Sequence, residues 1–352
     1  MKAVQLREPG VVELVELPVP SIGSGELLLE MRVCGLCGTD LAKIFGGKRT
    51  NGPVPLGHEL VGVVKAVGAG SNRFAAGDRV AVAHHVPCGC CRYCRHGSES
   101  MCPQFQATNI DPGGFAELIR IPALQVEQAA FRLPDAVPDE VGVFMEPLAC
   151  ALRAVKRSDV QAGDQIAVVG AGCMGLLVAQ AVALRGARPI CLDLLEERLE
   201  LARAFGIETT LNVAHADPMA ALLEVTAGEG IDGAILTAVS GPILKAMLGA
   251  LRAGGRMNLF ADVSGPKEYQ IDLSALWSQE ISLLATYSTT PVELGEAIQL
   301  LVSGAVQTLP LISHRFDLSR FEEGARLQRE GHATKVVFSP VGRAHSDDSE
   351  RP

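Results

Sequence analysis

QIAVVGAGCMGLLVAQAVALRGARPICLD, residues 165–193, decides the fold. A strand-like run, QIAVV, enters Gly170, Gly172 and Gly175, a helical stretch follows, and PICLD supplies a second strand. The first glycine permits the tight turn, the second removes a side chain where a pyrophosphate approaches, and the third lets the helix pack closely on the strand. The phosphates would meet the N-terminus of that helix. A bare GxGxxG is a weak signal, but here a strand precedes it and Asp193 closes the next strand 21 residues after Gly172.

The Asp193 carboxylate can accept hydrogen bonds from both ribose hydroxyls of an adenosine and would repel a 2'-phosphate. No base follows it immediately, since the next charged residues are Glu196, Glu197 and Arg198, and NAD is preferred to NADP. The same position also suits an ordinary helix N-cap. Cys173 and Met174, inside the loop, and Arg198 complete the candidate cofactor-binding set. Cys150, Cys173 and Cys191 sit in apolar surroundings without ligand spacing and read as core residues.

Toward the C-terminus the pattern repeats. EERLELARAFG reads as helix, TTLN as strand, DPMAALLEVTAG as helix and IDGAILTAV as strand; GPILKAMLGALRAGG reads as helix, with RMNLFADV and ISLLATYS as strands. This alternation calls for an α/β, doubly wound parallel sheet covered by helices, a Rossmann domain. Asp232, at the start of a strand, reads as a turn residue. Residues 291–339 contain two helices and two strands, and the first helix is expected to bridge back to the N-terminal module. The polar end, VGRAHSDDSERP, is expected to be loose.

Toward the N-terminus the character changes. Residues 1–32 alternate short apolar stretches with Pro and Gly, and residues 59–82 continue in the same style, so this part is mainly β and curled or barrel-like. Within it, VCGLCGTDLAKIFGGKRTNGPVPLGHELVGVV, residues 33–64, brings Cys37, Asp40, His58 and Glu59 close together in sequence. A soft thiolate beside an imidazole points to zinc rather than magnesium or calcium. A lone Cys37 could equally be a small buried hydrophobe and a lone His58 a hydrogen-bonded structural side chain.

HHVPCGCCRYCRHGSESMC, residues 84–102, holds the second candidate site. Cys88, Cys91, Cys94 and Cys102 are spaced by two, two and seven residues, so a compact loop can wrap four thiolates around one tetrahedral ion. Such a closed site would be structural, replacing the core that a lobe of this size lacks. A disulfide pair or an iron–sulfur cluster are the alternatives. Cys90 is left over, and His84, His85 and His96 read as surface or outer residues.

Composition narrows the class. The 352 residues, 48% of them hydrophobic, suffice for two cored domains, and the formal charge of -9 disfavours nucleic acid or an anionic membrane as partner. The N-terminus has no apolar signal core and no apolar run is long enough to span a bilayer, so a cytoplasmic protein is expected. Ten cysteines in a chain this long do not read as a small disulfide scaffold.

Together, CGTD at 37–40, GHE at 57–59, the four-cysteine lobe, EPL at 146–148 and the glycine loop resemble the zinc-containing medium-chain alcohol and polyol dehydrogenases, especially the sorbitol, butanediol and threonine dehydrogenase-like branch. The likeness runs from KAVQL to KVVF. It implies a GroES-like, mainly β catalytic domain over residues 1–148 with a structural zinc lobe at 84–103, and a Rossmann NAD-binding domain over 149–290. Residues 291–340 would return to the catalytic domain, 341–352 would form a tail, and the active site would lie in the cleft between domains.

The resemblance implies two zinc ions per subunit. Cys37, His58 and Glu146 would ligate the catalytic ion, with Glu59 able to replace water or exchange with Glu146, and Thr39 would hydrogen-bond the substrate oxygen. Asp40 would orient His58 through its free ring nitrogen. The substrate would be a small-molecule alcohol of polyol, sugar or cyclitol type, with threonine or butanediol as alternatives. A nucleotide-binding structural or regulatory descendant is the non-enzyme alternative; it sits poorly with Cys37, His58 and Glu146 all being present.

One departure stands out, because many relatives carry a proton-relaying histidine where this chain has Ala42. Substrate-selecting groups are expected in loops around 43–55, 105–115 and 260–290. A homodimer or homotetramer is expected, with ISLLATYS pairing across a two-fold axis.

Overall fold

The computed structural model describes residues 1–46, 54–261 and 268–342. The remaining loop segments within 43–55 and 260–290, and the tail from residue 343, lie outside the described residues. The chain divides into two compact units, Met1–Glu146 with Thr289–Pro352, and Pro147–Ser288.

The first unit opens with β1 (Lys2–Glu8) and β2 (Val11–Glu16), an antiparallel pair. β3 (Leu27–Gly35) pairs antiparallel with β4 (Glu59–Val67), and the register puts Gly35 opposite Glu59. β5 (Arg79–Val82), β6 (Leu118–Ile121) and β7 (Ala130–Arg132) follow. Leu27, Leu29 and Met31 alternate along β3 and are fully buried, as period-two burial of one sheet face demands. They share a core with Phe115 and Phe338, residues more than 200 positions apart.

The second unit holds β8 (Gln165–Val169), β9 (Arg188–Asp193), β10 (Thr209–Asn212), β11 (Ile231–Leu236), β12 (Leu251–Leu259) and β13 (Ser282–Ala285). All pair in parallel, in the order β10-β9-β8-β11-β12-β13. This is the dinucleotide-fold order, with the reversal between β8 and β11. The helix Cys173–Leu184 starts directly after the glycine loop.

Two expectations need correction here. The helix read over GPILKAMLGALRAGG ends at Ala250, and Leu251 already belongs to β12. Ladder pairing of Ile231 with Leu251 overrides local helix propensity, and a register shift absorbs the extra residues before Arg256. The helix Leu273–Ser278 was not foreseen: six residues are too few for a period, and its signal is Asp272, whose carboxylate accepts from the Ser274 and Ala275 N–H groups.

The chain then returns to the first unit. β14 (His314–Asp317) pairs with β15 (Val336–Ser339), and β15 lies antiparallel to β3 with Val337 opposite Gly35. One sheet, β14-β15-β3-β4-β5-β7 with β6 also on β3, is thus built from both ends of the sequence.

Candidate metal and dinucleotide sites

The β3–β4 register creates the first site. Cys37 stands two residues past Gly35, at the N-cap of the helix Gly38–Phe45, while His58 and Glu59 enter β4 opposite it. The Cys37 sulfur, a His58 ring nitrogen and a Glu59 carboxylate oxygen lie within 4.8 Å of one another. His58 is 4% exposed and Glu59 2%. Among the described residues Nδ1 of His58 and Oε2 of Glu59 make no hydrogen bond. A sulfur, an imidazole and a carboxylate converging on one point are donors that suit zinc.

Asp40, fully buried in the first turn of that helix, accepts the Cys37 N–H at 3.3 Å and the Gly57 N–H at 3.0 Å. Its Oδ2 stands 3.6 Å from His58 Nδ1, within ion-pair reach but long for a hydrogen bond. Burial raises the Asp40 pKa, yet His58, Lys43 and the Gly57 N–H outweigh it, and the group titrates below the usual carboxylate range. Burial opposes a charge on His58 too, but Asp40 and the Cys37 sulfur hold its pKa well above the ordinary value. The pocket of these residues therefore favours a positive charge at the imidazole, which a bound cation can supply instead of a proton.

Glu59 has a second neighbour that sequence reasoning missed. The Lys335 ammonium lies against Glu59 Oε2 as an ion pair without hydrogen-bond alignment, and donates to the Leu36 carbonyl at 3.0 Å. A Cβ at Gly35 would overlap the Glu59 carboxylate and crowd Lys335, so glycine is required there. The only local hint was a lysine heading the apolar strand VVFS. Thr39 is exposed beside Cys37. Glu146 is buried in the first turn of the helix Met145–Arg157 and is not one of the three groups drawn together.

His84 is buried rather than superficial, and its ring stands 4.4 Å from that of His58 and 3.7 Å from that of His85. Burial, together with His58, His85 and Lys43, holds its pKa well below the ordinary range.

In the lobe, the Sγ atoms of Cys88, Cys91, Cys94 and Cys102 lie within 4.8 Å of one another, with 3.5 Å between Cys91 and Cys94 and 3.6 Å between Cys88 and Cys102. A tetrahedral ion with bonds of about 2.3 Å sets its sulfurs roughly 3.8 Å apart. All ten cysteines are free. Hydrogen bonds from the Cys90 and Cys91 backbone hold the Cys88 thiol down, at about 6, while burial pushes the Cys94 thiol up to about 12. Cys90 is exposed, 3.7 Å from the Cys88 sulfur.

The second unit carries the glycine loop. A Cβ at Gly175 would strike the Gly170 carbonyl, whereas a Cβ at Gly172 would meet nothing within 4 Å, leaving room where a pyrophosphate would approach. Thr237 braces the turn by donating to the Val169 carbonyl at 2.7 Å, a contribution no spacing announced. Asp193 accepts from the Ala171 N–H through Oδ2 at 2.7 Å and from Leu194 and Leu195 through Oδ1, with Arg198 at 3.7 Å. The acid thus ties the loop to the end of β9. Cys173 and Met174 open the helix and are half-buried.

A family profile described as "Alcohol dehydrogenase GroES-like domain" matches residues 23–135, and one described as "Zinc-binding dehydrogenase" matches residues 173–303. An L-threonine 3-dehydrogenase of Deinococcus radiodurans is 32% identical over 346 residues, 96% of this chain and 97% of that protein. The chain belongs to the zinc-containing medium-chain alcohol dehydrogenase family. Among solved members of this family, a zinc-binding dehydrogenase of Sinorhizobium meliloti 1021 bound to NADP superposes with a TM-score of 0.88 at 28% identity, covering 96% of this chain and 99% of the other. Galactitol-1-phosphate dehydrogenase of Escherichia coli gives a TM-score of 0.86 at 26% identity, covering 97% of this chain and all of the other. The mainly β first unit is the GroES-like domain of the family and the parallel sheet its Rossmann domain.

Proposed function

We propose that this dehydrogenase reversibly oxidises a secondary alcohol of a polyol, sugar or cyclitol to a ketone, using NAD and two zinc ions per chain. The observation that carries the reading is the convergence of the half-buried Cys37 with the buried His58 and Glu59, whose ligand atoms lie within 4.8 Å of one another. When bound, zinc supplies Lewis acidity that lowers the pKa of an alcohol, and a nicotinamide supplies the hydride acceptor. Cys37 and His58 hold the ion, and Glu59 and Glu146 compete for the remaining protein position. Asp40 fixes the His58 ring. The Thr39 hydroxyl hydrogen-bonds the substrate oxygen and takes part in removing its proton. Ala42 offers no imidazole, so the proton leaves through another residue, water or a ribose hydroxyl. Cys88, Cys91, Cys94 and Cys102 hold the structural ion.

Asp193 favours NAD, since its carboxylate at the end of β9 faces a ribose hydroxyl better than a phosphate. Amino-alcohol oxidation is the second reading, supported by the threonine 3-dehydrogenase relatives at 30–32% identity. We also place the enzyme in the cytoplasm, where ten thiols stay reduced. Among the described residues no helix is long and apolar enough to cross a membrane. The edge strand β13, with exposed Leu283 and Trp277 close by in sequence, supports a homodimer or homotetramer.

The test is a spectrophotometric screen of NAD and NADP reduction with polyols, cyclitols, threonine, butanediol and simple alcohols, repeated after chelation. Turnover with a secondary alcohol that chelation abolishes is the expected result. No turnover with any alcohol, despite bound zinc and NAD, would refute it.

A further inference from the structure

We propose that Cys90 is an oxidative modification site: hydrogen peroxide oxidises its exposed thiol, Cys88 condenses with the product to form a disulfide, and the four-sulfur lobe loses its ion. The proposal rests on reading Cys88, Cys91, Cys94 and Cys102 as ligands of the structural zinc. It gives a role to the fifth cysteine, which that reading leaves over.

Cys90 is exposed and stands outside the group of four, yet its sulfur lies 3.7 Å from that of Cys88. The ligands themselves are no closer, since Cys88 is 3.6 Å from Cys102 and 3.9 Å from Cys94. Gly89, with φ at +71°, makes the left-handed turn between residues 88 and 90, and the two sulfurs meet across it. A sulfur–sulfur bond is about 2.05 Å long, and an exposed side chain can rotate through the difference.

Chemistry separates the five sulfurs. Four share their lone pairs with a cation when the site is filled; Cys90 keeps its own and meets solvent. One peroxide oxygen adds to the Cys90 sulfur, giving a sulfenic acid and a water. The Cys88 sulfur then attacks the Cys90 sulfur, the S–S bond forms, and the departing oxygen takes a proton from solvent and leaves as a second water. The two sulfurs give up the two electrons that the O–O bond accepts. Three sulfurs then remain for the ion. Between Cys88 and Met101 only Ser100 is buried, so no apolar core holds the lobe closed once the ion departs.

The experiment treats the reduced, zinc-loaded protein with hydrogen peroxide, one equivalent per chain, in wild type, Cys90→Ser and Cys90→Ala. A chromogenic chelator follows free zinc, and tandem mass spectrometry of peptides locates any disulfide. The wild type should release the lobe's ion at least about tenfold faster than either variant. It should also carry a Cys88–Cys90 bond that dithiothreitol with added zinc reverses. Cys37 is common to all three proteins, so the difference between them reports Cys90 alone. Release from the variants at the wild-type rate, zinc retained despite the bond, or a wild-type disulfide that joins other cysteines overturns the proposal. If the lobe carries no zinc before oxidation, the structural-zinc reading is what fails. The peptide map then decides separately, since an oxidised chain without the Cys88–Cys90 bond overturns the modification site.

Discussion

The Lys335 ammonium is buried against the Glu59 carboxylate, 3% and 2% exposed respectively, in a space that exists because residue 35 is glycine. Removing one member of a buried pair leaves an uncompensated charge and costs about 3–5 kcal/mol. Lys335→Met should therefore lower the urea midpoint of the first unit sharply. The double variant Lys335→Met with Glu59→Gln should recover most of the loss. Equal stability of the single and double variants would show that Glu59 is already neutral or held elsewhere.

The thiolate lobe makes a prediction about metal content. Cys102→Ser removes the buried member of the four sulfurs and should reduce zinc by one ion per chain, measured by atomic emission, while the Cys37 site stays loaded. Cys90→Ser should leave the zinc content unchanged, because Cys90 stands outside the group of four. Loss of zinc from the Cys90 variant would reassign the ligands.

Asp193 ties the glycine loop through Ala171, and in the proposed function it also binds the cofactor ribose. Asp193→Asn keeps much of the shape but loses the charge. The KM for NAD should rise about tenfold, as expected for losing charge-assisted hydrogen bonds, while the KM for NADP falls as repulsion disappears. A ratio of NAD to NADP efficiency that does not move would exclude Asp193 from cofactor choice.

His85 supplies a pH dependence with a defined sign. Burial is the main cause that moves its pKa from 6.5 to about 4. The unfolded chain therefore binds a proton between pH 6.5 and about 4 that the folded chain does not, and stability rises with pH across that window. The contribution is fully present above pH 6.5 and is lost progressively as pH falls toward 4. His85→Gln should flatten this slope in urea melts of the zinc-loaded protein; an unchanged slope would assign it to other groups.

Short-range features were legible in the chain itself. The glycine loop, the acid after β9 and the cysteine spacing of the lobe each complete a chemical device within about 30 residues, where chain geometry alone restricts the outcome. The alternation that announced a doubly wound sheet is local in the same sense. The end of the helix at Ala250 was not legible, because it depends on a strand partner, Ile231, and not on the propensity of LRAGG.

The sequence by itself thus determined the family, both domain types and most residues able to hold a metal. Only the tertiary structure decided which of them meet. The β3–β4 register sets Glu59 opposite Gly35, and β15 brings Lys335 to the Leu36 carbonyl across 299 positions of sequence. Burial of His84 beside His58 is likewise a product of packing. Pairing between distant strands is chosen by the whole core rather than by neighbouring residues, and for that reason no local pattern could display it.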